Sequence, residues 1–174
     1  MYKTLYIREI MIITTSRKPS QKTRSFVNDL ARVFNIKVLN RGKTSLKSIL
    51  EEYDKLIVVG EYKGNPGKIK LYNTDKNTII SMLVSTKLQR EVCEKETENT
   101  QGVLNLVFNG NTKKHEHLFY EFFKDLINQD SNFKMSFEPS DSDKNIFYIQ
   151  FYEDDKKVGP LIIVKSIKIM NIKD

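Results

Sequence analysis

IMIITTSRKPSQKTRSFVNDLARVF, residues 10–34, places a short apolar run, a basic loop and an amphipathic pattern in immediate succession. The run at residues 10–13 predicts a buried strand, and Ser20 can cap the helix that follows it. An apolar side chain recurs every four residues of this helix and forms one stripe: Phe26, Leu30 and Phe34. A strand, a loop and a helix in this order begin an α/β unit.

The next elements extend the same pattern. Residues 36–39 predict a second strand and residues 56–59 a third. Between them, a helix capped by Thr44 or Ser45 presents an apolar stripe of Leu46, Ile49, Leu50 and Tyr53. This alternation predicts a parallel sheet with right-handed crossovers. The loop at residues 16–19 then lies at the carboxyl edge of the first strand, where open α/β sheets bind ligands.

The rest of the chain predicts a second half of the same kind. Asn65-Pro66-Gly67 predicts the turn of a hairpin, and residues 78–88 a further strand. A charged stretch at residues 89–102 is expected to connect a basic N-terminal half, residues 1–88, to a C-terminal half, residues 103–174, within one domain. The C-terminal half predicts strands at residues 103–108, 133–137, 146–152 and 161–170 and a helix at residues 115–128. Both halves begin with a strand, a loop and an amphipathic helix, which suggests an internal duplication.

Composition limits the class of protein. The 174 residues are 39% hydrophobic and 29% charged, which is typical of one globular domain and not of a disordered chain. A single cysteine, Cys93, excludes an internal disulfide, so a reducing cytoplasm is the expected location. No apolar run approaches the ~18 residues of a membrane span, so we expect neither a membrane segment nor a signal peptide.

Positive charge is concentrated in the first third of the chain. Residues 1–60 hold 12 Lys and Arg against 5 Asp and Glu, whereas residues 61–174 hold 17 basic and 17 acidic residues. Lysines and arginines that neutralise phosphates release condensed counterions, so this asymmetry predicts a polyanionic partner, with nucleic acid first. A surface merely solvated by lysines is the alternative that charge alone leaves open.

Four stretches carry a resemblance to a known family: ITTSRKPSQKTRSFVNDLARVF, RGKTSLKSIL from Arg41, GEYKGNPGK and VGPLIIVKSIKI. In this order and spacing they are similar to the Brix-domain family of ribosome-biogenesis proteins. The resemblance covers nearly the whole chain. It implies two similar α/β halves of mixed sheets with helices, each related to the anticodon-binding domain of class IIa aminoacyl-tRNA synthetases. It also implies a role in ribosomal RNA processing and subunit assembly.

The chain departs from the eukaryotic family pattern in two respects. Lys76-Asn77-Thr78-Ile79 stands where a Gly-Pro-Thr stretch is expected, and long terminal extensions are missing. The sequence therefore resembles a minimal, archaeal member of the family. Contacts made by such extensions cannot be transferred to it.

The candidate RNA-binding residues gather around the first helix and the hairpin. Residues 14–26 contain no acid, and cations in the first turns of a helix are disfavoured by its dipole unless an anion compensates. The first amides of that helix suit a phosphate, although an ordinary solvated helix start is the alternative. The predicted RNA-binding residues are Ser16, Arg17, Lys18, Ser20, Lys22, Arg24, Arg41, Lys43, Lys63 and Lys68. Tyr62 and Tyr72 are either stacking partners for unpaired bases or half-buried strand residues.

Catalytic and metal-binding motifs are incomplete in this sequence. Gly42-Lys43-Thr44 resembles the end of a P-loop, but Lys37 stands where its first glycine belongs. His115 and His117 are two residues apart on a helix, point in different directions and have no second cluster of ligands. We therefore expect no enzyme activity, no metal or other cofactor and no small-molecule substrate.

Two functions remain open at this point. The first is a non-enzymatic RNA-binding factor that holds ribosomal RNA or its precursor through the basic N-terminal half, by backbone contacts and shape. The second is a protein-interaction adaptor within a ribonucleoprotein assembly complex. Its neutral C-terminal half, with the aromatic-rich helix, would bind a ribosome-assembly protein, and RNA contact would be incidental.

Overall fold

All the strands of the described residues belong to one mixed sheet. The structure is a computed structural model that describes residues 10–94 and 102–173. The strands are β1 (Met11–Thr15), β2 (Val38–Leu39), β3 (Lys55–Tyr62), β4 (Asn65–Asn73), β5 (Thr78–Lys87), β6 (Asn105–Phe108), β7 (Phe133–Pro139), β8 (Phe147–Glu153) and β9 (Lys156–Asn171). The helices are α1 (Gln21–Phe34), α2 (Leu46–Glu52), α3 (Gln89–Val92) and α4 (Glu116–Phe123).

The strand order is β2-β1-β3-β4-β5-β9-β8-β7-β6. Strand β1 lies parallel to β2 and to β3, and β3, β4 and β5 are antiparallel neighbours. At the other edge β6 is parallel to β7, and β7, β8 and β9 are antiparallel. Strands β5 and β9 pair antiparallel over ten positions and join these two groups of strands. The parallel arrangement of β1, β2 and β3 confirms the predicted α/β unit.

Helix α1 forms where its pattern predicts. Ser20 is its N-cap, with the side chain accepting a hydrogen bond from the backbone N–H of Thr23. Asn35 ends the helix in a left-handed conformation, with φ 50°. The predicted stripe of Phe26, Leu30 and Phe34 is buried against the sheet. Each such buried side chain contributes about 1.5–3 kcal/mol through the hydrophobic effect.

Helices α1 and α4 cover the same face of the sheet and meet above its centre. The ring of Phe34 stacks on Phe123 with centroids 5.1 Å apart, and it meets the edge of Phe151 from β8 at 5.8 Å. The short helix α2, capped by Ser45, packs Ile49 on the opposite face, in a separate apolar cluster with Leu56. The main core therefore lies between the sheet and the two longer helices.

The turn of the β3–β4 hairpin lies two residues earlier than predicted. Lys63 and Gly64 form it, both with positive φ (50° and 74°), as in a two-residue hairpin loop. The predicted Asn65-Pro66-Gly67 turn is wrong because these residues already belong to β4. Gly67 is the unpaired residue of a β-bulge, and a Cβ on it would lie 2.7 Å from the Cβ of Tyr62. Glycine is needed at this position because the backbone passes close to Tyr62, and not because the chain turns here.

Three other boundaries differ from the predicted ones. The helix predicted at residues 115–128 is shorter, because 3₁₀ turns at Gly110–His115 and Lys124–Leu126 flank α4. Strand β9 begins at Lys156, before the start predicted at residue 161. The predicted connector begins with the short helix α3, and its residues 95–101 lie outside the described residues.

An ion pair made by the buried Lys55 ties β3 to the 3₁₀ turn that follows α4. Lys55 is 1% exposed, and its Nζ lies 2.8 Å from Oδ2 of Asp125. The same ammonium lies 5.8 Å from the ring centroid of Phe122. Because a buried ammonium without a partner is strongly destabilising, this contact constrains how α4 sits over the sheet.

Gly67→Ala is expected to lower the free energy of unfolding by about 1–3 kcal/mol, because the added Cβ overlaps Tyr62 and the hairpin has to shift. Urea unfolding followed by circular dichroism measures the change. Gly60→Ala in the facing strand is the matched control. Its Cβ would meet Lys68 at an ordinary 3.7 Å, so we expect a change within about 0.5 kcal/mol. Equal losses in the two variants would contradict the overlap.

Candidate nucleic-acid interface

The basic loop lies where β1 passes into α1, at the carboxyl edge of the parallel strands. The backbone N–H of Ser16 donates to the carbonyl of Val59 at 3.0 Å, which holds the loop beside β3. Arg17 and Lys18 follow it and are exposed, and Lys18 has a positive φ of 52°. Non-glycine residues with this backbone conformation are uncommon and cluster at functional sites. The loop thus lies at the sheet edge that the α/β pattern predicts.

The anion missing from the local sequence comes from strand β3. The backbone N–H of Ser20 donates to Oε1 of Glu61 at 2.5 Å, and Thr23 hydrogen-bonds the same carboxylate. A carboxylate at a helix N-terminus is favoured by the helix dipole. The backbone N–H of Ser20 is therefore already bonded, and phosphate binding at the start of α1 stays a prediction.

The same contacts hold the hairpin turn against the helix. The hydroxyl of Ser20 donates to the carbonyl of Gly64 at 2.8 Å, so one residue joins the cap of α1 to the turn. Hydrogen bonds from Thr23 and from the N–H of Ser20, together with the charge of Arg24, hold the pKa of Glu61 below its usual value. Glu61 is therefore ionised at neutral pH and fixes the position of the hairpin relative to the helix.

Helix start and hairpin turn border an open cleft of about 390 Å³. We call it the basic cleft and define it by Lys22 of α1, Tyr62 and Lys63 of the hairpin, and Lys165 of β9. Tyr62 is 68% exposed, and the Nζ of Lys63 lies 5.3 Å from its ring centroid. Lysines around an exposed aromatic ring are suited to a phosphate backbone and an unpaired base.

Lys165 is the member of the basic cleft that sequence reasoning missed. It is the extra residue of a β-bulge, because Val164 pairs with Val84 and Ser166 with Leu83. A bulge re-aims a side chain relative to the regular alternation of a strand. The only local signal is a lysine inside an apolar strand, which does not indicate where that strand lies.

The structure separates the other predicted residues into two groups. Arg17, Lys18 and Arg24 lie within four residues of Ser20, which bonds the hairpin turn, and a guanidinium nitrogen of Arg24 donates to the carbonyl of Pro19 at 3.2 Å. Arg41 and Lys43 lie in the loop before α2, where Nε of Arg41 donates to the carbonyl of Thr44 at 3.2 Å. None of these five residues lines the cleft itself.

Lys68 and Tyr72 also lie away from the basic cleft. On β4, Ile69 and Leu71 are buried in the main core, so the alternation of the strand turns Lys68 and Tyr72 to the opposite face. Tyr72 is 6% exposed, and burial raises the pKa of its hydroxyl. Of the two alternatives that the sequence left open, Tyr72 is therefore the buried strand residue, whereas Tyr62 is accessible.

His115 is half-buried, and His117 is exposed. His115 packs against Phe147 with ring centroids 5.3 Å apart, and burial lowers the pKa of its imidazole. Across residues 10–94 and 102–173, no three His, Cys, Asp or Glu side chains are placed together to hold a metal ion.

In that described part of the chain, no helix has the length and apolar character needed to cross a membrane.

Comparison with protein-family models gives no match. A protein from Methanococcus maripaludis, described as a probable Brix domain-containing ribosomal biogenesis protein, is 47% identical over 165 residues, which is 94% of this chain and 100% of the relative. This chain belongs to the Brix domain-containing ribosomal biogenesis proteins. A Brix-domain protein of the same description from Archaeoglobus fulgidus is 43% identical over 70 residues, 40% of this chain and 46% of that protein.

Two solved structures share the fold of this Brix-domain chain. The crystal structure of Mil, an archaeal Imp4-like protein, superposes with a TM-score of 0.66 at 21% identity, over 92% of this chain and all of that one. A probable ribosomal biogenesis protein from Aeropyrum pernix K1 gives a TM-score of 0.67 at 23% identity, over 91% and 96%. The mixed α/β fold is confirmed, and the relation of each half to an anticodon-binding domain stays a prediction.

Glu61→Gln is expected to reduce the acid sensitivity of this Brix-domain protein. The pKa of Glu61 in the folded state is lower than in the unfolded state, so its stabilising contribution is complete above the unfolded pKa and is lost as the pH falls through the folded pKa. Thermal unfolding between about pH 7 and pH 3 measures this, and the wild type should lose more Tm than the variant.

Glu52→Gln is the matched control for this experiment, because Glu52 is an exposed carboxylate on α2. Its pH profile should follow that of the wild type. A Glu61→Gln profile that also follows the wild type would show that the carboxylate does not stabilise the start of α1.

Proposed function

We propose that this Brix-domain chain is a non-enzymatic ribosome-biogenesis factor that binds ribosomal RNA or its precursor through the basic cleft and the adjoining loop. The observation that carries the proposal is the convergence of three lysines and an exposed tyrosine at the start of α1. The relatives are described as ribosomal biogenesis proteins, and the polyanion beside which a protein in this role acts is ribosomal RNA. The proposed activity belongs to RNA processing and subunit assembly in the cytoplasm, with assembly proteins as further partners.

The proposed binding mode combines charge with stacking. Lys22, Lys63 and Lys165 come from three different elements and can meet successive phosphates of one strand. The exposed ring of Tyr62 offers a face to an unpaired base, a contact that tolerates any base. Backbone contacts position RNA without reading its sequence. Specificity in this mode comes from the shape of single-stranded segments.

The adjoining loop extends the positive surface. Arg17 and Lys18 are exposed, and in the described part of the chain neither is paired with a carboxylate. Glu61 faces Ser20 and Thr23 and so is directed at the helix and not at solvent above the loop. Its negative charge compensates the helix start, and the exposed cations on either side remain available to phosphates.

We also propose one domain built from two related halves, the basic one at residues 1–88 and the other at residues 103–174. The sheet order supports this organisation. Strands β1 and β3 are parallel neighbours and precede the antiparallel β4 and β5, and strands β6 and β7 are parallel neighbours and precede the antiparallel β8 and β9. Each parallel pair has a helix of the main core between its strands, α1 or α4. A duplication accounts for this repeat.

The aromatic side chains of α4 support the adaptor alternative less than the sequence of this helix suggests. Phe119, Phe122 and Phe123 of α4 are each no more than 1% exposed and pack in the main core. A partner protein has no access to these rings in the folded chain. The aromatic content of α4 is explained by the core and does not favour a docking helix.

Replacing Arg17, Lys18, Lys22 and Arg24 by glutamine is expected to flatten the salt dependence of RNA binding. Each lost phosphate contact removes about 0.7 from the slope of log affinity against log salt for a single strand, so the four changes remove up to about three units. Fluorescence anisotropy with a labelled single-stranded ribosomal RNA fragment, at several salt concentrations, measures the slope.

The matched control replaces four exposed lysines elsewhere, Lys113, Lys114, Lys144 and Lys156, by glutamine. It removes the same charge from the molecule but none from the basic cleft. We expect its slope to stay near the wild-type value. If the two quadruple variants lose slope equally, net charge and not the cleft governs binding.

Tyr62→Ala is expected to weaken binding of the same RNA fragment by about 1–3 kcal/mol, the contribution of one base stacked on an aromatic ring. Tyr62→Phe keeps the ring and should bind like the wild type. The affinity is measured at a single moderate salt concentration, where the lysines contribute equally in all three proteins. Loss of affinity in both variants would assign the effect to the hydroxyl and remove the stacking role.

A further inference from the structure

A second cavity lies at the other end of the sheet, between α4 and the β4–β5 hairpin. Its volume is about 310 Å³. The pocket lies beside the start of β3, because its wall residue Thr78 pairs with Asn73, and Asn73 pairs with Lys55, the first residue of β3. The basic cleft lies beside the other end of β3, about 25 Å away at the usual rise of a β-strand. We call this cavity the α4 pocket.

The floor of the α4 pocket is apolar and suits a flat ring. Leu71, Ile80 and Phe122 are buried beneath it. Ile169 of β9 also lines the pocket and is 44% exposed. A cavity of a few hundred Å³ with an apolar floor and a few polar groups is the usual form of a small-ligand site.

A buried amide faces this space with an unused donor. Asn73 is 3% exposed, and its Oδ1 accepts a hydrogen bond from the backbone N–H of Lys76. Within the described residues its Nδ2 has no acceptor, although it lines the pocket. Solvent reaches this nitrogen, so it can donate to an acceptor on a ligand in the pocket.

An ionised carboxylate on α4, that of Glu121, lines the same pocket. Oε1 of Glu121 lies 3.4 Å from the Nζ of Lys124 and 3.7 Å from the Nζ of Lys76. Desolvation would raise the pKa of Glu121, but the charge and hydrogen bond of Lys124 and the charge of Lys76 lower it. The carboxylate is therefore charged at neutral pH and can only accept hydrogen bonds.

These groups match guanine better than adenine. Guanine presents two adjacent donors, N1–H and the N2 amino group, which a carboxylate such as Glu121 accepts together. Its O6 and N7 are acceptors for the ammonium of Lys76 and the amide of Asn73. Adenine instead presents an acceptor, N1, beside its single amino donor, so the same carboxylate would repel its edge.

We propose that the α4 pocket binds the guanine base of an unpaired nucleotide. Where that nucleotide belongs to RNA, the inference rests on the proposed RNA-binding function. The base lies on Ile80 and Phe122, with Glu121 on its donor edge and Asn73 and Lys76 on its acceptor edge. Guanine in a free nucleotide has the same chemistry, and the experiment below separates the two sources.

Titration of the full chain with guanosine monophosphate, followed by NMR of isoleucine methyl groups and by calorimetry, tests the pocket. We expect saturable binding that shifts the resonances of Ile80 and Ile169, and at least tenfold weaker binding of adenosine monophosphate. Glu121→Gln should weaken guanosine monophosphate binding tenfold or more. Glu116→Gln, an exposed carboxylate on the same helix outside the pocket, should leave it unchanged. Equal binding of the two nucleotides, no binding, or an unaffected Glu121→Gln variant would overturn the proposal.

Short uridine-rich RNAs with one central guanine or one central adenine identify the source of the base. A preference for the guanine RNA that Glu121→Gln abolishes assigns the pocket to RNA. Binding of guanosine monophosphate with no preference between the RNAs assigns it to a free nucleotide, and the pocket proposal still stands. Failure of the basic cleft appears separately, as an unchanged salt slope in the Arg17, Lys18, Lys22 and Arg24 variant, which retains an intact Glu121.

Discussion

The antiparallel pairing of β5 with β9 is the interaction on which the rest of the structure depends. Over ten residue positions it turns two groups of strands, each starting with a parallel pair, into one sheet. On this continuous surface α1 and α4 lie on the same face, and the stacking of Phe34 on Phe123 closes the core between them. Without this pairing each group would expose a long edge strand and the side of an apolar layer, both of which are unfavourable in water.

The sheet also decides which charged group lies at the N-terminus of α1. A helix that begins with Ser20, Lys22 and Arg24 needs an anion near its first turn, and β3 brings Glu61 to that place. Because Ser20 also bonds Gly64 of the hairpin turn, one set of contacts satisfies the helix end and fixes the tip of the hairpin. The exposed Tyr62 and Lys63 are thus held on an ordered support, as a binding surface requires.

Distribution of charge in space differs from its distribution along the chain. The excess of positive charge belongs to residues 1–60, yet the basic cleft takes Lys165 from the last strand and leaves Arg41, Lys43 and Lys68 outside. The α4 pocket likewise combines the β4–β5 hairpin with a helix and a strand from the other half. Both candidate sites are therefore properties of the joined sheet, and neither half by itself contains all the side chains of either one.

The sequence by itself determined the order of strands and helices, the cap at Ser20, the buried stripe of α1 and the resemblance to the Brix-domain family. These features depend on periodicity and on hydrogen bonds between residues a few positions apart, which a linear pattern records. Only the tertiary structure decided the anion at α1, the place of Lys165 and the close approach of Gly67 to Tyr62. Ser20 and Glu61 are 41 positions apart, and Lys165 reaches the basic cleft through a bulge in a strand pairing.

The mispredicted hairpin turn has the same cause: Asn65-Pro66-Gly67 fits a turn locally, but the register between β3 and β4 places the turn at Lys63 and Gly64. Contacts between distant segments depend on strand register and packing, and local residue preferences do not contain that information.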